Sequence, residues 1–208
     1  MKKYKHPRTP HLPWSPGATS DDKVIYDISI FYDKEIVITE KMDGENTTMY
    51  RDGFHARSLD SNNHSSRSYV KGLWGQIAHL IPEGWRICGE NLYAKHSIHY
   101  KDLRSYFYVF SIWNDKNICL SWVDTVYFCS SIGLEIVNEW YQGQWGDQTK
   151  PLKSYYIGPF REGYVIRNAG QFHYDDFSKN VAKYVRDGHV PDDAIHWSKK
   201  PLIKNVLI

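Results

Sequence analysis

The sequence lacks the features of a disulfide framework, an exported protein and a membrane protein. Its three cysteines, Cys88, Cys119 and Cys129, form an odd set without C-x-x-C spacing, which argues against paired disulfides and a cysteine-rich zinc module and predicts buried free thiols. No apolar run approaches the ~20 residues that cross a bilayer, and the polar, Pro-rich opening has no apolar signal core. We therefore expect a soluble, unexported, cytoplasmic protein.

The chain also has little excess charge of either sign. Its 208 residues include 26 Lys plus Arg and 24 Asp plus Glu, for a formal net charge of +2, which does not by itself indicate a nucleic-acid binder. The end of the chain, residues 179–208, is basic and is suited either to a polyanion or simply to solvent. With 41% hydrophobic residues, the chain has enough apolar material for a core.

Hydrophobic patterning predicts an α+β fold, mostly antiparallel sheets with flanking helices. Apolar residues recur at three- and four-residue steps between Ser68 and Pro82, which predicts an amphipathic helix. A second helix is predicted from a cap at Ser121, with Asp124 three residues on, to about Gly133. Runs rich in β-branched and aromatic residues predict strands at 35–39, 47–50, 54–57, 85–90, 106–113, 134–138, 163–167 and 181–185. The strands at 47–50 and 54–57 flank Asp52-Gly53, a typical hairpin turn.

The most informative segment is K-M-D-G-E-N at 41–46. It places Lys41 where a buried strand enters a turn that glycine permits. A lysine amine, with a reference pKa of ~10.4, becomes a nucleophile only when it loses its proton, and desolvation or a neighbouring cation lowers its pKa. A surface lysine in an ordinary turn would give the same tetrapeptide K-x-D-G, so this motif needs support from the rest of the chain.

Five further segments give that support, in this order: A-R-S at 56–58, C-G-E-N-L-Y at 88–93, F-Y-V-F-S-I at 107–112, R-E-G-Y-V-I at 161–166 and K-N-V-A-K at 179–183. Together with K-x-D-G they resemble the motifs of the ATP-dependent RNA ligase family. This family is part of the covalent nucleotidyltransferase superfamily, which also holds DNA ligases and capping enzymes. The resemblance runs from about residue 11 to residue 190. It implies a nucleotidyltransferase (adenylyltransferase) domain of the ATP-grasp-like ligase type.

The resemblance also implies a reaction. Lys41 would attack the α-phosphate of ATP, release pyrophosphate and hold AMP as a phosphoramide. AMP would then pass to the 5′-phosphate of one RNA end, and the 3′-hydroxyl of another would displace it. Such in-line displacements depend on positioning and on neutralising phosphate charge, and Mg²⁺ (or Mn²⁺) is implied as cofactor. The implied partners are ATP, RNA with 5′-phosphate and 3′-hydroxyl ends, and possible end-healing enzymes, with no membrane.

By position in the motifs, the resemblance assigns phosphate contacts to Lys183 and Lys179. The family spaces two lysines two residues apart on this strand, whereas these are four apart and Val181 and Val185 fill the expected positions. Whether Lys179 or another residue partners Lys183 is therefore open. Lys183 would also help to lower the pKa of Lys41 through like charge.

The remaining motif residues are assigned to ATP and the metal in the same way. Arg57 would contact phosphate or ribose through its forked donors, and Glu90 would accept from ribose hydroxyls. Phe110 would stack on adenine, and Glu162 would orient the metal or its waters. Two further residues complete the predicted nucleotide site, Glu40 near adenine and Asn46 near the reacting phosphate.

We expect one domain over residues 1–208, with an extended Pro-rich lead-in at 1–20 and a short C-terminal extension at 190–208. That extension is too short for the OB-fold domain of DNA ligases and capping enzymes. The alternatives are a DNA nick ligase or a GTP-dependent capping guanylyltransferase, and a catalytically impaired nucleotide- or nucleic-acid-binding module. The segment H-L-P-W-S-P-G at 11–17 and His189 also resemble this ligase branch, but residue type and spacing assign them no chemistry.

Overall fold

A computed structural model of the chain describes residues 2–61, 64–146, 157–189 and 201–208. The chain divides into two compact units. The first comprises Met1–His6, Asp43–Ile136 and Ile195–Ile208, and the second comprises Pro7–Met42 and Val137–Ala194. The single domain expected over 1–208 and the extension at 190–200 stay predictions. Among the described residues, no helix combines the length and apolar character that crossing a bilayer demands.

The strands and helices follow the predicted α+β pattern. In chain order the described elements are β1 (Glu35–Lys41), β2 (Glu45–Tyr50), β3 (Gly53–Ala56), α1 (Ser68–Ile77), β4 (Arg86–Asn91), β5 (Phe107–Trp113), β6 (Ile118–Cys119), α2 (Trp122–Ser131), β7 (Glu135–Ile136), β8 (Glu139–Gln144), β9 (Gly163–Asn168), β10 (Phe172–His173) and β11 (Val181–Val185). Short 3₁₀ helices lie at Ile28–Phe31, Ser65–Arg67, Ala78–Leu80 and Tyr174–Lys179.

The second unit is built on a four-stranded antiparallel sheet in the order β11-β9-β1-β8. Strand β1 is central, and five consecutive residues of it are buried, as is typical of a strand covered on both faces. Its apolar residues Ile36 and Ile38 pack with Tyr164 and Ile166 of β9 and with Ala182 of β11. This packing fixes β1 in place up to Lys41, its last residue.

The Pro-rich lead-in covers the β11 edge of this sheet. The Leu12 N–H donates to the Lys183 carbonyl at 2.8 Å, and the Lys183 N–H donates to the Pro10 carbonyl at 2.9 Å. The Gly17 N–H donates to the Val185 carbonyl further along. The extended conformation predicted from the prolines is therefore used to satisfy backbone groups that an edge strand would leave open.

In the first unit, β6-β5-β4-β2-β3 form an antiparallel path, and β7 pairs with β5 in the parallel direction. Helices α1 and α2 each contribute to one core with the sheet, whose buried residues are Met49, Val70, Ile77, Ile81, Ile87, Phe107, Val109, Ile112, Cys129 and Leu134. The predicted cap of α2 is confirmed, because the Asp124 N–H donates to the Ser121 hydroxyl at 3.1 Å. All three cysteines are buried and free, as predicted.

The described end of the chain, residues 201–208, also belongs to the first unit. The Asn205 side chain is buried, donates to the Leu92 carbonyl at 2.7 Å and accepts from the Tyr100 N–H at 2.9 Å. Backbone bonds from Lys95 to Ile203 and from Leu103 to Val206 continue the pairing. This part of the predicted extension is thus hydrogen-bonded to the body of its unit.

Candidate active site

The second unit places the motif lysine against the motif glutamate. Lys41 ends β1 opposite Gly163, and its Nζ lies 2.6 Å from Oε1 of Glu162, the residue before β9. The Glu162 side chain is 10% exposed and that of Lys41 is 25% exposed, so the amine can be reached from solvent while its partner is nearly enclosed. The glycine in E-G-x-V is required here, because a Cβ on Gly163 would lie 1.9 Å from the Tyr184 carbonyl oxygen of β11.

Glu162 is held from a second direction by the segment after β11. The Arg186 N–H donates to the Glu162 carbonyl at 3.0 Å. Nε2 of His189, a buried side chain, lies 3.8 Å from the same Oε1 that binds Lys41. His189 had no assigned chemistry in the sequence, and the structure puts it beside the carboxylate that faces Lys41.

Lys183 projects from the same face of the sheet as Lys41. Lys183 on β11 pairs with Val165 on β9, and Val165 pairs with Thr39 on β1. Lys41 lies two residues after Thr39 on β1. Because aligned partners share a face and so do residues i and i+2, both amines emerge on one side. The Lys183 Nζ lies 4.0 Å from Oδ1 of Asp22, two residues after the lead-in.

His11 pairs with Lys183 in an isolated bridge. Burial is the main cause that lowers its pKa to about 4, and the positive charges of Lys183 and Lys41 add to the effect, against the opposing influence of Asp22. The imidazole is therefore neutral at neutral pH. Its Nδ1 lies 2.8 Å from the Ser15 hydroxyl, and its Nε2 faces Asp22 Oδ2 at 3.4 Å.

Glu40, the other predicted residue on β1, is buried and held by side-chain contacts. Its Oε2 accepts from the Asn138 amide at 2.8 Å, and Oε1 lies 4.0 Å from Nε of Arg161. The Arg161 guanidinium lies over the Trp140 ring, 5.1 Å from its centroid. The side chain of Glu40 thus belongs to a polar and aromatic cluster of this unit.

Lys179 is set apart from this group. It lies at the end of the 3₁₀ helix Tyr174–Lys179, before β11 begins, and its side chain is 71% exposed. Its Nζ pairs with Asp176 at 2.8 Å. The predicted phosphate contact of Lys179 stays a prediction, and Val181 and Val185 occupy the positions next to Lys183 on its face of β11.

In the first unit, the Asp and Gly of K-x-D-G have structural partners. The Asp43 carboxylate accepts from the N–H groups of Ser97 and Ile98, both at 2.7 Å. The Gly44 N–H donates to Glu90 Oε1 at 3.2 Å, and a Cβ on Gly44 would lie 2.5 Å from the Asn91 carbonyl oxygen. Asp43 therefore fixes the chain just after Lys41, a role that the sequence pattern did not reveal.

The other predicted nucleotide residues of this unit lie on neighbouring strands. Asn46 of β2 is aligned with Glu90 of β4, and among the described residues its buried Oδ1 has no hydrogen-bond partner. Phe110 of β5 is half-buried and meets the His6 ring edge-on, with centroids 5.1 Å apart. Arg57 is exposed immediately after β3. The structure thus brings Asn46 and Glu90 together.

The RNA ligase family model matches residues 34–185, which include β1, β9 and β11. The chain therefore belongs to the RNA ligase family. No curated protein matches the sequence.

Solved RNA ligases share the fold. The Naegleria gruberi RNA ligase with PPi superimposes with a TM-score of 0.58 at 18% identity, covering 79% of this chain and 54% of that chain. An archaeal ATP-dependent RNA ligase gives 0.57 at 16% identity, covering 86% of this chain and 48% of that one. A mutant of the Naegleria enzyme with ATP and Mn gives 0.54 at 16% identity, covering 75% and 51%. The chain spans about half the length of these ligases.

Proposed function

We propose that this chain is an ATP-dependent RNA ligase that works through a lysyl-AMP intermediate on Lys41. The observation that carries the proposal is the Lys41–Glu162 pair at the end of the central strand, 2.6 Å apart, inside the region that matches the RNA ligase family. A nearly enclosed carboxylate restricts the orientation of the lysine amine that it binds. An in-line attack on phosphorus requires such a fixed orientation.

The reaction would have three displacements. Lys41 Nζ, having lost a proton, forms a bond to the α-phosphorus of ATP while the bond to pyrophosphate breaks. A 5′-phosphate oxygen of RNA then takes the AMP, and the phosphoramide bond breaks with return of a proton to Nζ. Finally a 3′-hydroxyl oxygen, losing its proton, attacks the 5′ phosphorus and AMP leaves. RNA ends of this kind are the products of end-healing kinases and phosphatases, which are candidate partners.

The chain's own residues would supply orientation and charge. Glu162 would orient the Lys41 amine, and Lys183, on the same face, would contact the α-phosphate and disfavour a second positive charge nearby. The nucleotide roles of Glu40, Asn46, Arg57, Glu90, Phe110 and Lys179 are proposed from the family motifs.

Glu162 also fits a divalent cation, because its oxygen already binds a cationic group and hard cations prefer carboxylate oxygen. Mg²⁺ or Mn²⁺ bound there would neutralise negative charge on the phosphates.

Labelling with nucleotide tests the first step. We expect α-labelled ATP to mark the purified chain in the presence of Mg²⁺, with an AMP adduct at Lys41 by intact-mass and peptide mass spectrometry. GTP should leave it unmarked, and Lys41→Ala should abolish marking, whereas the exposed-turn variant Lys116→Ala should match the wild type. An adduct on another residue, or none at all, would contradict the proposal.

A strand-joining panel tests the polymer. The panel offers 5′-phosphorylated single-stranded RNA, nicked RNA duplex and nicked DNA duplex of one sequence, each with and without the 5′-phosphate. We expect joining only of RNA that carries the 5′-phosphate. Labelling of Lys41 without joining of any strand would refute the ligase while leaving the nucleotide site intact, and sealing of nicked DNA alone would make it a DNA nick ligase.

A further inference from the structure

The lead-in contributes a buried polar cluster next to Lys183. His11 and Ser15 are 1% and 7% exposed, and both are far from β11 in sequence. The Ser15 hydroxyl accepts from the Val185 N–H at 2.9 Å and lies 2.8 Å from His11 Nδ1. Burying polar groups to this degree is costly unless they are hydrogen-bonded; the Ser15 hydroxyl and His11 Nδ1 are, whereas among the described residues the buried His11 Nε2 has no hydrogen-bond partner.

Asp22 continues this cluster to the lysine side chain. Its Oδ2 accepts from the Thr19 N–H at 3.2 Å and from the Thr19 hydroxyl at 3.0 Å, and its Oδ1 lies between two cations, 4.0 Å from Lys183 Nζ and 3.9 Å from Nη2 of Arg8. Burial opposes the charged form of Asp22, but the Thr19 hydrogen bonds and Lys183 more than offset it, so its pKa lies below the usual range. Asp22 is thus a fixed carboxylate beside a lysine.

The main chain of Lys183 is held by the same segment. Pro10 accepts from its N–H and Leu12 donates to its carbonyl, at 2.9 and 2.8 Å. Covering an edge strand requires only such backbone bonds. The Asp22 carboxylate, which two hydrogen bonds orient, adds a contact with the Lys183 side chain. This contact limits the positions that the flexible ammonium group can take.

We propose that Asp22 is a positioning residue for nucleotidyl transfer, which acts by holding the Lys183 ammonium over the face that carries Lys41. The uncharged His11 side chain supports Asp22 in this role by setting the separation between Asp22 and β11. The inference rests on the proposed ligase function, and it gives a role in the site to the lead-in together with Asp22, which follows it. It is independent of the family motifs, none of which includes Asp22.

Single-turnover labelling of the full chain with α-labelled ATP tests the role of Asp22. We expect Asp22→Asn to slow adduct formation by about 10- to 100-fold at saturating ATP, since a displacement of about 1 Å in a reacting site has effects of this size. The KM for ATP should change less than the rate. Asp22→Glu should recover part of the loss, and Asp21→Asn, at the exposed neighbouring position, should match the wild type.

A double-mutant cycle separates positioning from folding. If Asp22 acts through Lys183, Asp22→Asn should cause no further loss in a Lys183→Met background, because coupled residues are non-additive. Equal losses in both backgrounds would overturn the proposal and mark Asp22 as structural. If Asp22→Asn does not fold, as judged by circular dichroism, the same cycle is run with His11→Gln, with the same expected outcome.

Labelling of the wild-type chain distinguishes failure of the lysyl-AMP function from failure of the positioning role of Asp22. A wild-type chain that is never labelled would refute the lysyl-AMP function itself. An active wild type with an equally active Asp22→Asn variant would refute only the positioning role.

Discussion

In the proposed reaction, the charge at residue 162 determines which group the Lys41 amine faces before ATP binds. Glu162→Gln keeps the size of the side chain and one acceptor oxygen but removes the charge that now lies 2.6 Å from Nζ. We expect adduct formation at Lys41 to slow by about 100-fold, because orientation of the amine and a cation ligand are lost together. Single-turnover labelling measures this change.

The control for Glu162→Gln is Glu83→Gln, which makes the same exchange on an exposed loop of the other unit. It should label at the wild-type rate. A Glu162→Gln variant that folds and labels as fast as Glu83→Gln would show that the ion pair has no part in the first step.

His11 makes the stability of the fold depend on pH in a defined window. Its pKa is lowered to about 4 in the folded chain, against about 6.5 unfolded, so the unfolded chain binds more protons between these values. Stability therefore rises with pH through this window and is lost as pH falls from 6.5 towards 4. Allowing for partial screening by solvent, we expect a loss of about 2 kcal/mol in the free energy of unfolding.

Urea unfolding of the wild type and of His11→Gln at several pH values between 4 and 7 measures this dependence. The variant should be less stable at pH 7 and its stability should change less across the window. Parallel curves for the two proteins would assign the acid sensitivity to other groups.

At the scale of elements, the close approach of β9 and β11 depends on the absence of a side chain at Gly163. An added Cβ would lie 1.9 Å from a backbone oxygen of β11, and a backbone group cannot swing aside as a flexible side chain can. We expect Gly163→Ala to lower the free energy of unfolding by about 3 kcal/mol or more. The midpoint of urea unfolding reports it.

Gly72 is the control position, where the same substitution should change the free energy of unfolding in the opposite direction. It lies inside α1, and no atom would lie within 4 Å of its added Cβ. Gly72→Ala should raise the free energy of unfolding by about 0.5–1 kcal/mol, since alanine is the better helix former. Equal effects of the two substitutions would contradict the steric explanation.

The elements that the sequence predicted are those whose signal is local. The hairpin of β2 and β3, helix α1 and the cap of α2 at Ser121 follow from patterns within a few residues, and all were confirmed. Strand β8 was missed because E-W-Y-Q-G-Q is polar and lies at a sheet edge, where no alternation marks it. The predicted strand at 134–138 is reduced to the two residues of β7, paired parallel to β5.

The site residues also divide into those with a local sequence signal and those without one. The sequence motifs predicted Lys41, Glu162 and Lys183 as a group, and the fold places Lys41 on β1, Lys183 on β11 and Glu162 immediately before β9, the strand between them. Asp22 and His11 could not be found this way, because they meet Lys183 across more than 160 positions of sequence. The Pro-rich lead-in was the available signal, since its four prolines at positions 7, 10, 13 and 16 indicate an extended arm but not the strand that it covers.

At the scale of the whole molecule, the near balance of charge would limit how the proposed ligase binds RNA. With a formal net charge of +2, long-range attraction to a polyanion is weak, so affinity should come from a few local phosphate contacts. The logarithm of the binding constant for single strands falls with the logarithm of salt concentration by about 0.7 for each phosphate contacted. For two or three contacts, we expect RNA affinity to fall less than about 20-fold between 50 and 200 mM salt.

Fluorescence anisotropy with a 5′-phosphorylated RNA oligonucleotide and the Lys41→Met variant, which cannot turn over, gives this slope. DNA of the same sequence is the comparison, because a purely electrostatic surface would bind both with equal slopes and affinities. A loss of more than about 1,000-fold over this range would correspond to about seven or more phosphate contacts. Such a result would mean that an extended basic surface, rather than the cluster around Lys41 and Lys183, dominates the binding of RNA.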